Sequence, residues 1–313
     1  MNRLELDIPQ DKEFDVVGMG LNAVDYLCVV PHFPTYDSKT KMLDFMRQGG
    51  GQVATALVTC SRLGLKTKYI GKIGSDELGV FSKESIEKEG VDASDIIVEE
   101  GSRTQFAFIL VDNSTGERTI IWDRDPKLEI RPQELDRSAT CSGRVLHLDG
   151  HEVPASIQAA KWAREAGIPV VLDAETVKDG TEELLFLTDI LIASTTFPRI
   201  LTGISDVIQA LNKLKAYGSN VVCITLGKEG ALAYYRGQII KCPGFEVKAL
   251  DSTGAGDVFH GAFIYGMLER WTIEETLRFA NAAAAMKCRS IGGRQGIPTQ
   301  VEVEEFLERN VEG

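Results

Sequence analysis

The sequence has few of the features that mark secreted, zinc-binding or membrane-spanning proteins. Its six cysteines are scattered without a Cys-x-x-Cys pair, so we expect free thiols in a reducing compartment. The four histidines form no ligand-spaced cluster, which argues against a zinc site. Residues 1–13 lack the apolar core of a signal peptide, and no run approaches the ~20 apolar residues of a membrane span. We therefore expect a cytoplasmic protein with no membrane partner.

Positive charge is also scarce. The chain has 34 Lys and Arg against 46 Asp and Glu, a formal net charge of −12. Nucleic acids and anionic membranes require basic surface, so neither is expected as a partner. A small anionic ligand stays compatible with this balance, because backbone N–H groups at a helix N-terminus can hold it.

The 313 residues, 43% of them hydrophobic, are enough for one large α/β unit. Short apolar runs alternate with helical patterns, which predicts a mostly parallel sheet covered on both faces. Strands are expected at residues 14–17, 26–30, 39–47, 68–73, 145–148, 169–172, 190–192 and 221–225. Helices are expected at 52–63, 76–89, 154–166, 182–187, 205–217, 258–270, 273–288 and 302–313. Hairpins are expected at 104–111 with 118–122 and at 231–235 with 238–241.

The most informative stretch runs from Asp251 to Asp257, with the sequence Asp-Ser-Thr-Gly-Ala-Gly-Asp. A glycine-rich turn that opens a helix exposes backbone N–H groups, and the helix dipole adds positive potential there. An acid is a poor choice in a cradle that only holds phosphate. Asp257 fits better as the base that takes a proton from a hydroxyl attacking that phosphate, with the Gly254, Ala255 and Gly256 backbone as the anion hole. The alternative is a glycine turn with an aspartate cap.

A second glycine cluster, Gly49-Gly50-Gly51, precedes the helix expected at 52–63. It permits either close approach of a ligand to the backbone or a simple entry into the helix. The run Gly18-Met19-Gly20-Leu21-Asn22-Ala23 matches a dinucleotide fingerprint. Because strand and then proline follow it instead of a helix, a dehydrogenase is a distant alternative.

These motifs together resemble the ribokinase-like (PfkB) family of carbohydrate kinases. Its C-terminal signature, D-x-x-G-A-G-D, matches residues 251–257, and its N-terminal signature matches residues 49–64 and 71–79. The resemblance covers about residues 14–300. It implies a three-layer α/β sandwich as one domain over residues 1–313, with a small β lid near 20–47 and 103–123. It also implies ATP and Mg²⁺ as cofactors, a small sugar as substrate, and a homodimer that pairs through the lid.

Site residues follow from the same resemblance. Sugar contacts are implied for Asp25, Gly50, Gly51, Thr55 and Asp149. Nucleotide contacts are implied for Thr225, Gly227, Gly230 and Asn281. Asp251 matches a position near a monovalent-cation site, which suggests K⁺ as a further cofactor.

The chain is nearest in its motifs to the sulfofructose kinase branch, whose sulfonate-contacting lysine matches Lys39. It differs from that branch at Trp122 and Gly150, which argues against sulfofructose itself. It also has Thr55 where most of the family has Asn, and Phe197 where a magnesium-organising acid is usual. We therefore expect a kinase acting on a primary hydroxyl of a small sugar or sugar derivative. The alternatives are a nucleoside or sugar-phosphate kinase of the same fold, or a sugar-binding sensor that has lost catalysis.

Overall fold

The computed structural model describes residues 3–310, and in this part of the chain a main sheet of nine strands lies between two layers of helices. The strands of the main sheet are β1 (Phe14–Met19), β4 (Thr67–Gly74), β5 (Ile96–Glu99), β8 (Gly143–Leu148), β9 (Val170–Ala174), β10 (Ile190–Ser194), β11 (Val221–Thr225), β12 (Ala231–Tyr235) and β13 (Gln238–Cys242). A second sheet has the strands β2 (Ala23–Val30), β3 (Asp44–Gly50), β6 (Phe106–Asp112) and β7 (Arg118–Asp123). The helices are α1 (Gln52–Arg62), α2 (Glu77–Glu87), α3 (Arg137–Thr140), α4 (Val153–Glu165), α5 (Thr181–Phe186), α6 (Thr196–Thr202), α7 (Val207–Leu214), α8 (Ala255–Leu268), α9 (Ile273–Lys287) and α10 (Gln300–Arg309).

The main sheet has the order β13-β12-β11-β10-β9-β8-β1-β4-β5. Neighbours from β11 through β5 are parallel, and β12 and β13 add an antiparallel edge. The carboxyl ends of the parallel strands therefore lie along one edge, which is where open α/β sheets place their ligands.

Side chains alternate between the faces of each strand and build two cores. Val16 of β1 belongs to a cluster that includes apolar residues of α1, α8 and α9, whereas Val17 belongs to one that includes residues of α4 and α7. Both valines are fully buried. This three-layer arrangement is the α/β sandwich that the sequence predicts.

The small sheet has the order β3-β2-β6-β7, and we call it the lid sheet. Strand β2 pairs in parallel with β6 and antiparallel with β3, while β6 and β7 form the expected hairpin. Leu27 and Ile109 lie on the face that packs against Ile291. The strand predicted at 39–47 is wrong in its bounds, because β3 begins at Asp44 and runs through Gly49 and Gly50. The first lid segment thus extends beyond residue 47.

Other differences concern short elements. The sequence reading missed β5, α3 and α6, which are only 4–7 residues long and too short to show a clear period. The C-terminal helix begins at a capping box of Thr299 and Glu302. The predicted end of this helix, residues 311–313, lies outside the described residues. No helix between residues 3 and 310 has the length and apolar character needed to cross a bilayer.

Candidate active site

The glycine turn that the sequence predicts as an anion cradle lies directly before helix α8. Gly254 caps the helix in the left-handed region, with φ 76°, and a Cβ there would lie 2.7 Å from the carbonyl oxygen of Gly293. Only glycine fits these two demands. Gly256 is exposed, and a Cβ on it would meet no described atom within 4 Å. The Ala255 N–H is directed at the Ser252 carbonyl at 3.2 Å, so the freest donors are those of Gly256 and Asp257.

Asp257 is the third residue of α8 and is half-buried. Burial raises the pKa of its carboxyl group to about 8, and the nearby acids Asp173 and Glu175 contribute, while His260 and Arg118 oppose the shift. This carboxyl group therefore has the proton affinity of a general base working near neutral pH.

A polar pair that the sequence reading missed lies beneath the cradle. His260, one turn further along α8, holds the Gly256 carbonyl oxygen 2.7 Å from its Nδ1. Its Nε2 is 3.5 Å from Oδ1 of Asp173, at the carboxyl end of β9. Both side chains are buried. These residues connect the sheet to the first turn of α8.

A cavity of about 710 Å³ opens beside the cradle. Its lining includes the predicted nucleotide residues Thr225, Gly227, Gly230 and Asn281, together with Ala255 and Gly256. The cavity is large enough for a nucleotide, and its floor carries the exposed N–H groups. The structure thus brings the predicted nucleotide and phosphate residues together.

Within this cavity, Asn281 also has a structural role. Its side-chain nitrogen donates to the carbonyl oxygens of Cys242 and Pro243, each at 3.1 Å, and so fixes the segment that follows β13. Gly230 has φ 94°, and its neighbours leave no space for a Cβ. These contacts shape the cavity wall before any ligand binds.

Asp25 and Gly50, both predicted to contact the sugar, lie together, and we call this region the sugar side. A Cβ on Gly50 would collide with the Asp25 carboxylate, so glycine leaves that side chain its space. Asp25 is 7% exposed, and burial raises the pKa of its carboxyl group to about 6, although Arg294 opposes the shift. A buried carboxylate with unused acceptor capacity suits the hydroxyl groups of a sugar.

Arg294 organises the sugar side, and the sequence reading gave it no role in the site. Its Nη2 donates to the carbonyl oxygen of Gly50 and, at 3.1 Å, to Oδ1 of Asn22. Its Nε lies 3.3 Å from Oγ1 of Thr55. Burial lowers its pKa to about 10, and the charges of Asp25 and Asp257 both act on it. The Arg294 guanidinium group and the Asp25 carboxylate thus both lie against Gly50.

Asp149, a predicted sugar contact, is held by backbone N–H groups. It is 1% exposed, and its two carboxylate oxygens accept from the N–H of Leu21 at 2.6 Å and that of His151 at 3.1 Å. A Cβ on Gly20 would collide with it. These bonds make Asp149 an anchor between the end of β8 and the turn before β2.

Gln52, the first residue of α1, connects further polar groups. Its Nε2 donates to Asp173 Oδ2 at 3.2 Å and to Glu175 Oε2 at 2.9 Å, while its Oε1 lies 2.6 Å from Nε2 of His151. A hydroxylated ligand beside Gly51 would meet this network, which no motif had indicated.

The lid sheet supplies one cation to the site. Arg118 of β7 donates from Nη1 to Oγ of Ser252 at 2.5 Å, within the loop that leads to the cradle. The predicted sulfonate contact, Lys39, is exposed on the segment between β2 and β3. Of these two basic residues, Arg118 is therefore the one that contacts the loop before α8.

The predicted cation position at Asp251 is filled by protein groups. Its Oδ1 accepts from the N–H and hydroxyl of Thr253, at 2.8 and 2.7 Å, and its Oδ2 accepts from the N–H of Gly292 at 2.7 Å. The buried Lys287 ammonium donates to the Asp251 carbonyl oxygen at 2.9 Å. The carboxylate of Asp251 is thus bonded to protein donors, and the Lys287 ammonium group lies against its backbone carbonyl oxygen.

Phe197, at the position where the family resemblance implies a metal-organising acid, is fully buried in the apolar core. Among residues 3–310 there is no group of three or more His, Cys, Asp or Glu side chains placed to hold a metal ion. Mg²⁺ bound with a nucleotide commonly uses only one or two carboxylates, with phosphates and water as its other ligands.

A sheet edge with a glycine turn at a helix N-terminus, an acid beside it and a nucleotide-sized cavity fits a phosphotransferase. Comparison with known proteins agrees with this class. The family model for pfkB family carbohydrate kinases matches residues 15–300. The chain therefore belongs to the pfkB family of carbohydrate kinases, as its two signatures suggested.

Individual relatives support the assignment over the whole chain. The sequence is 32% identical to ribokinase from Haemophilus influenzae, covering 95% of this chain and 99% of that protein. It is 28% identical to 5-dehydro-2-deoxygluconokinase from Clostridium perfringens, covering 100% of this chain and 97% of that protein. A crystal structure of a ribokinase-like protein from Agrobacterium tumefaciens superposes with a TM-score of 0.91 at 26% identity, covering 96% and 99% of the two chains. The fold and the carbohydrate kinase activity are thereby confirmed.

Proposed function

We propose that this kinase transfers the γ-phosphoryl group of ATP to a primary hydroxyl of a small sugar or sugar derivative. The observation that carries the proposal is the position of Asp257. Asp257 directly follows Gly256, and Gly256 lines the cavity together with Thr225 and Asn281. The charges of both Asp25 and Asp257 act on Arg294, which bonds to Gly50 and Thr55.

In this mechanism Asp257 accepts the proton of the attacking hydroxyl. The N–H groups at Gly256 and Asp257, with the adjoining backbone of Gly254 and Ala255, stabilise the negative charge on the transferring phosphoryl group. Asp25 accepts hydrogen bonds from hydroxyl groups of the sugar and fixes the orientation of the reacting one. The bound magnesium ion would neutralise phosphate charge.

Several sugars are candidates for the acceptor. The names of the relatives suggest ribose and 5-dehydro-2-deoxygluconate, and a nucleoside or a sugar phosphate is the alternative within the same fold. Sulfofructose is the least favoured, because Gly150 and Trp122 replace branch residues and Lys39 is exposed. A panel of these acceptors, scored by ADP release with and without Mg²⁺, tests the assignment. The proposal is supported if the wild type turns over one of these acceptors and the Asp257→Asn variant does not.

One observation favours a sensor as the second candidate. Phe197 occupies the place of an acid. Restoring the acid by Phe197→Glu would put a charge into the apolar core, so this variant cannot test the metal site.

For an active kinase, we propose that Mg²⁺ arrives with ATP, so that the metal alone binds weakly. Calorimetry with Mg²⁺ alone and with Mg·ATP tests this. Tight sugar binding with no ADP release across the panel would identify a sensor.

The lid sheet also supports a proposal for assembly. Phe45, Phe108, Ile121 and Trp122 are exposed hydrophobic residues of its strands, and Tyr26 stacks on Phe45 and Phe108. Burying these groups and the outer strands against a second copy would yield a homodimer. Light scattering during size-exclusion chromatography measures the mass, and Phe108→Glu should yield monomers.

We place the protein in the reducing cytoplasm, because its six cysteines are free thiols.

A further inference from the structure

The buried contact between His260 and Asp173 has no role in the chemistry described so far. We propose that His260 is a positioning residue: it links the Gly256 carbonyl to Asp173 and thereby fixes the anion cradle on the end of strand β9. This inference rests on the proposed kinase function of the cradle.

The ring of His260 has a defined orientation. Its Nδ1 lies 2.7 Å from the carbonyl oxygen of Gly256, and only a protonated Nδ1 can donate there. Its Nε2 faces Asp173 Oδ1 and the Ile192 carbonyl oxygen, each at 3.5 Å. The ring therefore spans the space between the first turn of α8 and the ends of two strands.

Burial decides the charge of this pair. It raises the pKa of Asp173 well above the usual range of a carboxyl group and lowers the pKa of His260. Both groups are then neutral: Nδ1–H donates to Gly256, and Nε2 is an acceptor that faces the protonated Asp173 carboxyl group at 3.5 Å. Gln52 holds the second Asp173 oxygen at 3.2 Å.

Other ionisable groups around the pair keep this arrangement. The His147 ring on β8 lies 5.8 Å from the His260 ring, and burial lowers its pKa to about 3, so it stays neutral. Glu175 and Asp149 oppose a negative charge on Asp173. The base, Asp257, lies on the same helix as His260 and favours its protonation, but burial outweighs this effect.

The link matters because Gly256 contributes to the cradle and precedes Asp257 directly. A displacement of its peptide group moves the N–H donors and the base together. Misplacement of reacting groups by about 1 Å can reduce a rate by about 100-fold. A link between β9 and α8 prevents such movement without occupying the cradle.

Two substitutions of His260 separate its two bonds. In His260→Asn the amide nitrogen takes the place of Nδ1 and retains the bond to Gly256. In His260→Gln the nitrogen takes the place of Nε2, and the bond to Gly256 is lost. We expect His260→Gln to lower kcat about 10-fold or more, with the sugar KM nearly unchanged, and His260→Asn to retain most activity. Equal kcat losses in both variants, or none in His260→Gln, would overturn the proposal.

Two substitutions of Asp173 test the other end. Asp173→Asn keeps a donor toward Nε2 and should retain most of kcat, whereas Asp173→Leu leaves Nε2 without a partner and should behave like His260→Gln. If Asp173→Asn were as impaired as Asp173→Leu, a neutral donor could not be the role of this side chain.

A measurement on the wild-type protein needs neither a variant nor turnover. In ¹⁵N-labelled protein, the His260 signals should show a neutral ring with the proton on Nδ1; the His260→Asn spectrum identifies them. A proton on Nε2 alone, or a charged ring at pH 7, would contradict the proposal. If the wild type transferred no phosphoryl group, the proposed kinase function would be rejected. The protonation state of the His260 ring could still be measured and would test the link to Gly256 separately.

Discussion

Replacing Asp257 by asparagine should stop turnover and at the same time make the fold more stable. Burial raises the pKa of this carboxyl group from 3.8 to about 8, so the folded chain holds the proton more tightly than the unfolded chain does. The folded state is therefore penalised as pH rises from 3.8, and the penalty is complete near pH 8.

The size of the effect follows from the pKa. At pH 7 the group is about three pH units above 3.8, and each unit corresponds to about 1.4 kcal/mol, which gives an upper limit of about 4 kcal/mol. Asp257 is half-buried, so solvent screens part of this penalty and we expect a gain of about 1–3 kcal/mol at pH 7. Turnover should fall about 10²–10⁴-fold.

Urea unfolding of the wild type and Asp257→Asn at pH 7 and pH 5 measures the stability difference, and ADP release measures kcat. The stability gain should shrink at pH 5, where the wild-type carboxyl group is protonated. Asp179→Asn, an exposed acid after β9, is the control and should change neither quantity. A variant with more than half of the wild-type kcat, or equal stability at both pH values, would refute the reasoning.

Three further predictions follow from the same site. As pH falls, kcat/KM should decrease below about pH 8, where Asp257 becomes protonated, and decrease more steeply below about pH 6, where Asp25 is protonated as well. A flat profile from pH 6 to 8 would contradict this. Asp25→Ala should weaken sugar binding by about 1.5–3 kcal/mol for each lost hydrogen bond and leave ATP affinity unchanged, as calorimetry with each ligand would show. Replacing K⁺ by Na⁺ should change kcat little, because Lys287 already supplies a cation at Asp251, and strong activation by K⁺ in steady-state assays would contradict it.

The parts of the site that the sequence predicts are those built within a short segment. The cradle and Asp257 lie within seven consecutive residues, so the local pattern of glycine, acid and helix is sufficient. The strand and helix alternation predicts the central sheet for the same reason. The predictions fail for short elements such as β5 and α6. They also fail for the bounds of β3, which begins later than predicted and continues through Gly49 and Gly50.

The parts that the sequence did not predict depend on contacts between distant segments. Arg294 bonds to Thr55 across 239 positions of the chain, and His260 meets Asp173 only through the packing of α8 on the sheet. No local spacing encodes these pairs. The same limit explains Asp149, whose position at a strand end is suitable for a ligand but whose oxygens both accept backbone N–H groups.

The most direct test of the proposed mechanism is the structure of the product. Wild-type protein incubated with Mg·ATP and each candidate sugar should yield one phosphate monoester, whose ³¹P signal is split by two methylene protons. That splitting identifies phosphorylation of a primary hydroxyl, and Asp257→Asn should yield none of this product. A signal split by a single proton would place the phosphate on a secondary or anomeric hydroxyl. That result, or no product across the panel, would contradict the account.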